Sequence, residues 1–201
     1  MPPLPGERGL RSRAALKLRA AIDAIVLGAA LVVMHPGSAA ADPQMSGGVT
    51  VGAVASDLRT PPARGGVHLG ARFDVLFLRH RESDGAFGPY VDVVTERLST
   101  FEVGGGLEGL IPLIPSFPLV ASAGVAERAA DSTWQPALVA GLFFGPRSYN
   151  FHSVYGLANG VFVQGRYGLG SQKQGDVIAG LQIDFAMIAL PFIFAYEALA
   201  H

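Results

Sequence analysis

Three residues of this chain are of the types that hydrolytic enzymes use as base and nucleophile: His68, His152 and Ser153. A histidine beside a serine hydroxyl would suit cleavage of lipid esters, because the imidazole can take the proton of the attacking oxygen. His152 and Ser153 are adjacent, however, and adjacent strand residues point to opposite faces. No Gly-x-Ser-x-Gly context surrounds this serine. We therefore expect no catalytic residue. A lipid-modifying enzyme is the second alternative, the last of three hypotheses for this sequence.

Metal and cofactor chemistry also lacks a sequence signal. The chain has no cysteine, and no His cluster has the spacing of metal ligands. The run Gly104-Gly105-Gly106 is not followed by a helical pattern, so it does not suggest a dinucleotide site. We expect no cofactor and no metal.

The first 41 residues have the order of a secretory signal peptide. Five basic residues precede the apolar run Ala20–Met34, and small residues follow at Ser38–Ala41. The apolar run is shorter than the roughly 20 residues that a membrane-spanning helix needs. Residues 1–41 are therefore predicted to be cleaved, with retention as an anchor the alternative. No adjacent Arg-Arg pair is present, which favours the general secretory route.

The composition of the remaining 160 residues excludes two kinds of protein, a nucleic-acid-binding protein and a helical membrane protein. They carry ten basic and fourteen acidic residues, so no basic patch is available for nucleic acid. They contain no apolar stretch long enough for a membrane-spanning helix. The length predicts one domain.

Alternation of apolar with polar or small residues recurs along residues 49–190. Eight segments carry it: Val49–Ala55, Val67–Leu78, Phe87–Glu96, Phe101–Ile111, Leu119–Ala126, Trp134–Phe144, Val161–Tyr167 and Val177–Leu190. Segments of this length and pattern predict an all-β fold, an antiparallel up-and-down transmembrane β-barrel of about eight strands. Residues 42–48 are predicted to be a short flexible segment before the barrel.

Two parts of this assignment have alternatives. Asn159-Gly160 is a hairpin signal, so Tyr149–Ala158 is either a ninth strand or the start of one long, imperfect seventh strand, which we favour. Residues 191–201 form a C-terminal tail, expected to be a short interfacial helix after Pro191 or an aromatic strand end.

Charged side chains fall on the polar parity of the strands. A barrel of eight strands is narrow and is filled by side chains. We therefore predict an interior polar network in place of a binding site. Its residues are Arg72, Asp74, Asp92, Glu102, Glu108, Gln164, Arg166, Gln182 and Asp184.

Aromatic residues lie near the predicted strand ends, where transmembrane barrels meet the lipid headgroups. We expect two aromatic girdles that include Tyr90, Phe101, Trp134, Tyr149, Phe151, Tyr155 and Tyr167.

The alternating segments, with the final run Ala179–Phe185, resemble small eight-stranded outer-membrane β-barrel proteins of Gram-negative bacteria. Members usually end on an aromatic residue within the last strand, whereas this chain continues through Pro191 to His201. The resemblance implies an outer-membrane location and contact with outer-membrane lipid and lipopolysaccharide. It also implies handling by periplasmic chaperones and the barrel-assembly machinery.

The resulting hypothesis is an integral outer-membrane barrel with a structural, adhesive or minor-transport role and no wide pore. A monomer is expected, with no nucleic-acid partner. The first alternative is a soluble secreted or periplasmic β-barrel that binds an apolar ligand.

Overall fold

The computed structural model describes residues 43–58, 64–114, 116–130, 133–148, 154–169 and 174–200. Predictions on residues 1–41, Tyr149, Phe151, His152 and Ser153 lie outside the described residues.

Eight strands and one helix make up the described chain. The strands are β1 (Gln44–Ser56), β2 (Arg64–Leu76), β3 (Ala86–Glu96), β4 (Thr100–Ile114), β5 (Phe117–Ala130), β6 (Thr133–Phe144), β7 (Gly160–Gly168) and β8 (Gly175–Asp184); helix α1 follows at Phe185–Ala200. No helix among these residues is both long and apolar enough to cross a membrane.

Each strand pairs antiparallel with its neighbour in sequence, and β1 also pairs with β8, which closes the barrel. The closing register runs from Gly48 opposite Asp184 to Ala55 opposite Val177. The prediction of an all-β, antiparallel, up-and-down barrel with eight strands is confirmed.

The two ends of the barrel differ in their connections. We call the end where β1 begins and β8 ends the proximal end, and the opposite end the distal end. The proximal connections are residues 77–85, 115–116 and 145–159; the distal ones are 57–63, 97–99, 131–132 and 169–174. The longest connection therefore lies at the end that carries both chain termini of the barrel.

Two predicted boundaries of the barrel are wrong. Residues 44–48, assigned to a flexible segment, belong to β1 and pair with Arg72–Leu76 of β2. The last strand ends at Asp184 and not at Leu190, because alternation stops there. Phe185–Leu190 is apolar throughout, and helix α1 begins at Phe185 and includes Pro191.

The seventh strand is also shorter than predicted. β7 covers Gly160–Gly168, and Val154–Asn159 lies outside the eight strands. Isolated bridges pair Tyr155 with Met45 and Ala158 with Arg147. The segment around Tyr155 therefore pairs with β1 at Met45, beyond the residues of β1 that pair with β8.

Side chains alternate between the two faces of the barrel, and their polarity is inverted relative to a water-soluble protein. Among the described residues, buried polar and charged side chains number 17 against 15 buried hydrophobic ones. Many large hydrophobic side chains of the strands are exposed on the outer face, including Val67, Leu107 and Leu142. Val54, Leu110, Phe143 and Ile178 supply part of the apolar packing inside.

Candidate functional site

The barrel interior brings together the nine residues of the predicted polar network. All are buried except Arg72, whose side chain retains 15% exposure. They come from β2, β3, β4, β7 and β8, and each occupies the inward parity of its strand. Buried charges are costly unless paired, so their partners determine whether the interior is stable.

A proximal cluster joins β1, β2 and β4 to the connection between β6 and β7. Arg72 donates from Nη2 to Glu108 Oε2 at 2.6 Å, and its guanidinium lies 3.8 Å from the centre of the Tyr90 ring. Arg147 pairs with Asp74, and its Nη1 lies 3.5 Å from Glu108 Oε1. Ser46 Oγ donates to the Asp74 carboxylate at 3.0 Å. Each of these carboxylates therefore has an arginine partner.

A distal cluster is organised by Arg128, which reaches three carboxylates. Its Nη2, Nε and Nη1 lie 3.1 Å, 3.0 Å and 2.5 Å from Glu96, Glu102 and Asp176, respectively. Arg166 shares two of these partners, at 2.6 Å from Glu96 and 3.1 Å from Glu102. The planar guanidinium has five donors, which allows one side chain to bridge several strands.

Gln164 links the distal cluster to the middle of the barrel. Its amide nitrogen donates to Asp92 at 3.4 Å, while its oxygen accepts from Arg166 Nη2 at 3.2 Å. Inward-facing glycines leave room for these groups. A Cβ added to Gly104 would lie 2.5 Å from an Asp92 oxygen, and one added to Gly124 would lie 2.7 Å from the Tyr90 hydroxyl.

The space left between the clusters is small. A cavity of about 30 Å³ lies among Thr50, His68, Arg72, Asp92, Gln164 and Gln182. That volume suits one or two water molecules. A second cavity of about 20 Å³ adjoins Arg128 and Asp176.

His68, a candidate base, lies on the wall of this interior. It is 1% exposed, its Nε2 is 3.1 Å from Thr50 Oγ1, and its ring is 5.5 Å from that of Phe162. Within the described ranges, no group of three or more His, Asp or Glu side chains could hold a metal ion.

The connection 145–159, which we call the cap segment and whose residues 145–148 and 154–159 are described, lies at the proximal end. Ser148 N donates to Leu157 O at 2.9 Å, which joins its two described arms. Met45 N donates to Val154 O, and Gly156 N donates to Met45 O, at 2.7 and 2.8 Å. The cap segment therefore continues the hydrogen bonding of β1 where β8 has ended.

Asp184 fastens the cap segment to the last strand. Its carboxylate accepts from the Tyr155 hydroxyl at 2.8 Å and from Ala158 N at 2.9 Å. It also accepts from Ala186 N at 2.8 Å and so serves as the N-cap of α1. Burial, together with the hydrogen bond and charge of Asp184, raises the pKa of Tyr155 to about 12.

Arg147 extends from the cap segment into the barrel. Burial works against its charge, but the carboxylates of Asp74 and Glu108 outweigh burial and raise the pKa of the guanidinium. The group therefore stays cationic inside the proximal end.

Several network members were missed in the sequence. Glu96, Arg128, Asp176 and Ser46 share the inward parity of their strands. Glu96 lies within the predicted third segment, and the strands of the structure extend past the predicted first, fifth and eighth segments to include Ser46, Arg128 and Asp176. Arg147 gave no such signal, because it lies in a connection and enters the barrel through its tertiary position. Four arginines, Arg72, Arg128, Arg147 and Arg166, face the interior carboxylates.

Two residues predicted for the aromatic girdles point elsewhere. Tyr90 is 2% exposed and lies inside, on the inward parity of β3 beside Arg72. Tyr155 lies in the cap segment, where its hydroxyl donates to Asp184 and to the carbonyl of Gly47 in β1. Tyr90 lies near the predicted start of its strand, but its inward parity places the ring inside the barrel.

No family model and no curated protein sequence matches this chain. One similar solved structure is the solution NMR structure of the de novo designed TMB2.3. It is 15% identical, the match covers 71% of this chain and 96% of that chain, and the TM-score is 0.38.

Proposed function

We propose that this protein is an integral β-barrel of the Gram-negative outer membrane, with its outer face in lipid. The observation that carries the proposal is the composition of that face. Its described side chains are apolar or small apart from Thr95, Glu127 and the rings of Trp134 and Tyr167. Such a continuous apolar surface is unfavourable in water and favourable in hydrocarbon.

The length of the apolar face fits a bilayer. Outward-facing aromatic residues lie at both ends of β6, at Trp134 and Phe144, ten residues apart. At roughly 3.3 Å per residue and a tilt of about 40°, ten residues cover about 25 Å of membrane depth. The apolar band of transmembrane barrels has about this height.

Aromatic side chains bound the face at both ends. Phe101, Trp134 and Tyr167 are exposed at the distal end, and the Phe101 and Trp134 rings meet edge to face at 6.4 Å. Phe87, Phe117, Phe144 and Phe185 are exposed at the proximal end. These two groups are the arrangement expected of residues at the headgroup level.

The interior supports a structural, adhesive or minor-transport role without a wide pore. Ion-paired side chains occupy the described part of the lumen. The cavities beside them have volumes of about 30 and 20 Å³. The same filling disfavours the alternative of a soluble barrel that holds an apolar ligand, because an apolar molecule would displace paired charges.

The remaining parts of the proposal follow from the outer-membrane assignment. Export uses residues 1–41 as a cleaved signal peptide on the general secretory route. The barrel contacts outer-membrane lipid and lipopolysaccharide and is inserted by periplasmic chaperones and the assembly machinery. We propose that it acts as a monomer, without catalysis and without a nucleic-acid partner.

Membrane fractionation with gel electrophoresis tests this proposal. We expect the protein in the outer-membrane fraction, with faster migration in SDS before boiling than after it. Recovery in the soluble fraction without detergent would contradict the proposal. Stable conductance steps in a planar bilayer would contradict the closed interior while leaving the membrane location intact.

A further inference from the structure

Helix α1 has no polar face. Its sixteen residues include one charged side chain, Glu197, and that residue lies near the C-terminal end. Large apolar residues are exposed on every side of the helix: Phe185, Met187, Ile188, Leu190, Phe192, Ile193, Phe194 and Leu199. Phe192 and Phe194 are 73% and 63% exposed.

We infer that α1 is inserted in the hydrocarbon of the bilayer, beside the proximal end of the barrel, as a second membrane-embedded element. This inference rests on the proposed membrane location of the barrel. A groove on a protein covers one face of a helix, and a helix lying in the headgroup layer needs a polar face toward water. Lipid chains can instead surround a helix on all sides, which is what the distribution of apolar residues on α1 requires.

The start of the helix is continuous with the outer face of the barrel. Phe185 directly follows Asp184 and belongs to the proximal aromatic group. A Cβ on Gly47 would lie 3.0 Å from ring carbons of both Phe185 and Phe73, so these rings pack on the outside of β1 and β2. The first residue of the helix therefore already lies on the surface that faces lipid.

The cap by Asp184 and the length of the helix are consistent with insertion. Asp184 accepts from Ala186 N, which satisfies one of the backbone donors left free at the start of the helix. At about 1.5 Å per residue, the helix is roughly 24 Å long, less than the thickness of the hydrocarbon layer. The helix is therefore embedded within the hydrocarbon layer and does not need to cross the bilayer.

Because the chain has no cysteine, single-cysteine labelling tests this inference on the full chain. Phe194→Cys reports on the helix, Leu138→Cys on the outer face of β6, and Ser83→Cys on an exposed proximal connection. Each variant carries an environment-sensitive fluorophore and is refolded into phosphatidylcholine vesicles. Quenching by lipids with nitroxide-labelled chains is compared with quenching by aqueous iodide.

We expect the labels at Phe194 and Leu138 to be quenched by the nitroxide lipids roughly twofold or more above the label at Ser83. Iodide should show the reverse order. Lipid quenching at Leu138 combined with iodide quenching at Phe194 would overturn the inference but leave the membrane barrel intact. A Leu138 label that lipid cannot quench would instead contradict the proposed function.

A competing occupant for the helix is a second copy of this chain. Self-quenching of the Phe194 label that disappears when the vesicles are diluted with lipid would show helix–helix packing and would overturn the inference. Phe192→Cys repeats the measurement at a second exposed position, so that the result does not depend on the loss of one side chain. Self-quenching is expected to be absent at both positions.

Discussion

The Arg147 guanidinium donates a hydrogen bond to the carboxylate of Asp74, although 73 positions separate the two residues in the chain. Arg147 comes from the cap segment, and Asp74 lies on the inner face of β2. The same carboxylate accepts from Ser46 on β1. This pair therefore links the described start of the cap segment to the first two strands.

Replacing Arg147 should weaken the barrel strongly. Arg147→Gln leaves the buried carboxylate of Asp74 without its cation, which costs about 3–5 kcal/mol of unfolding free energy. Urea unfolding in detergent or lipid measures the change. The control is Arg81→Gln, because Arg81 is exposed in connection 77–85. Pairing Arg147→Gln with Asp74→Asn should restore part of the loss, and equal effects of the Arg147 and Arg81 changes would show that the pair contributes little.

The three ion pairs of the Arg128 guanidinium give a second prediction. Arg128→Lys keeps the charge but cannot donate to Glu96, Glu102 and Asp176 at once, so we expect a loss of about 1.5–3 kcal/mol. The matched control is Arg64→Lys, whose side chain is 73% exposed and 3.7 Å from Asp57. Denaturant titration of both variants gives the comparison. A loss at position 128 no larger than that at position 64 would count against the bridging role.

A charge on the outer face distinguishes lipid from water around the barrel. Leu138→Arg places a cation midway along the outward face of β6 and should cost about 2–4 kcal/mol in vesicles. Leu78→Arg is the control, since Leu78 lies in a connection and the two side chains are similarly exposed, at 55% and 48% for Leu78 and Leu138. Near-equal stability of the two variants in lipid would be the contrary result.

The hydroxyl of Tyr155 should respond to alkaline pH. Its pKa is raised to about 12, whereas the pKa of an unfolded tyrosine is about 10. Because the folded chain keeps the proton over this interval, the contribution of Tyr155 to stability is complete below about pH 10 and is lost as the pH rises toward 12.

Difference absorbance between the native chain and Tyr155→Phe should reveal a tyrosinate that forms near pH 12. The variant should also show a shallower loss of stability over that interval. A difference titration near the ordinary tyrosine value would mean that Tyr155 is not held by Asp184.

Much of the fold could be predicted because the alternation of side chains between the two faces of a strand can be read from the local sequence. Strands such as β4 alternate so sharply that Glu102 and Glu108 can be placed inside from the sequence alone. Strand ends were less predictable. Glu127 and Arg128 resemble a charged loop, yet the backbone continues in β5 and turns them to opposite faces, so that only Arg128 enters the interior.

Other features depend on the closed barrel and leave no local pattern. The cap segment pairs with β1 at Met45, because the pairing of β1 with β8 ends at Gly48. This unpaired stretch of β1 is defined only by the closed barrel. The start of α1 at Phe185 depends on the capping contact of Asp184 with Ala186. Pro191 suggested a boundary in the sequence, although it lies within the helix.

The pairing of β1 with β8 makes the order of the strands cyclic, since each strand has two hydrogen-bonded neighbours. The start of β1 at Gln44 and the end of β8 at Asp184 both lie at the proximal end, on adjacent strands. Joining these ends and opening the two-residue connection 115–116 would give a circularly permuted chain with the same strand neighbours. The set of paired neighbours is therefore the same whichever strand of the cycle comes first in the sequence.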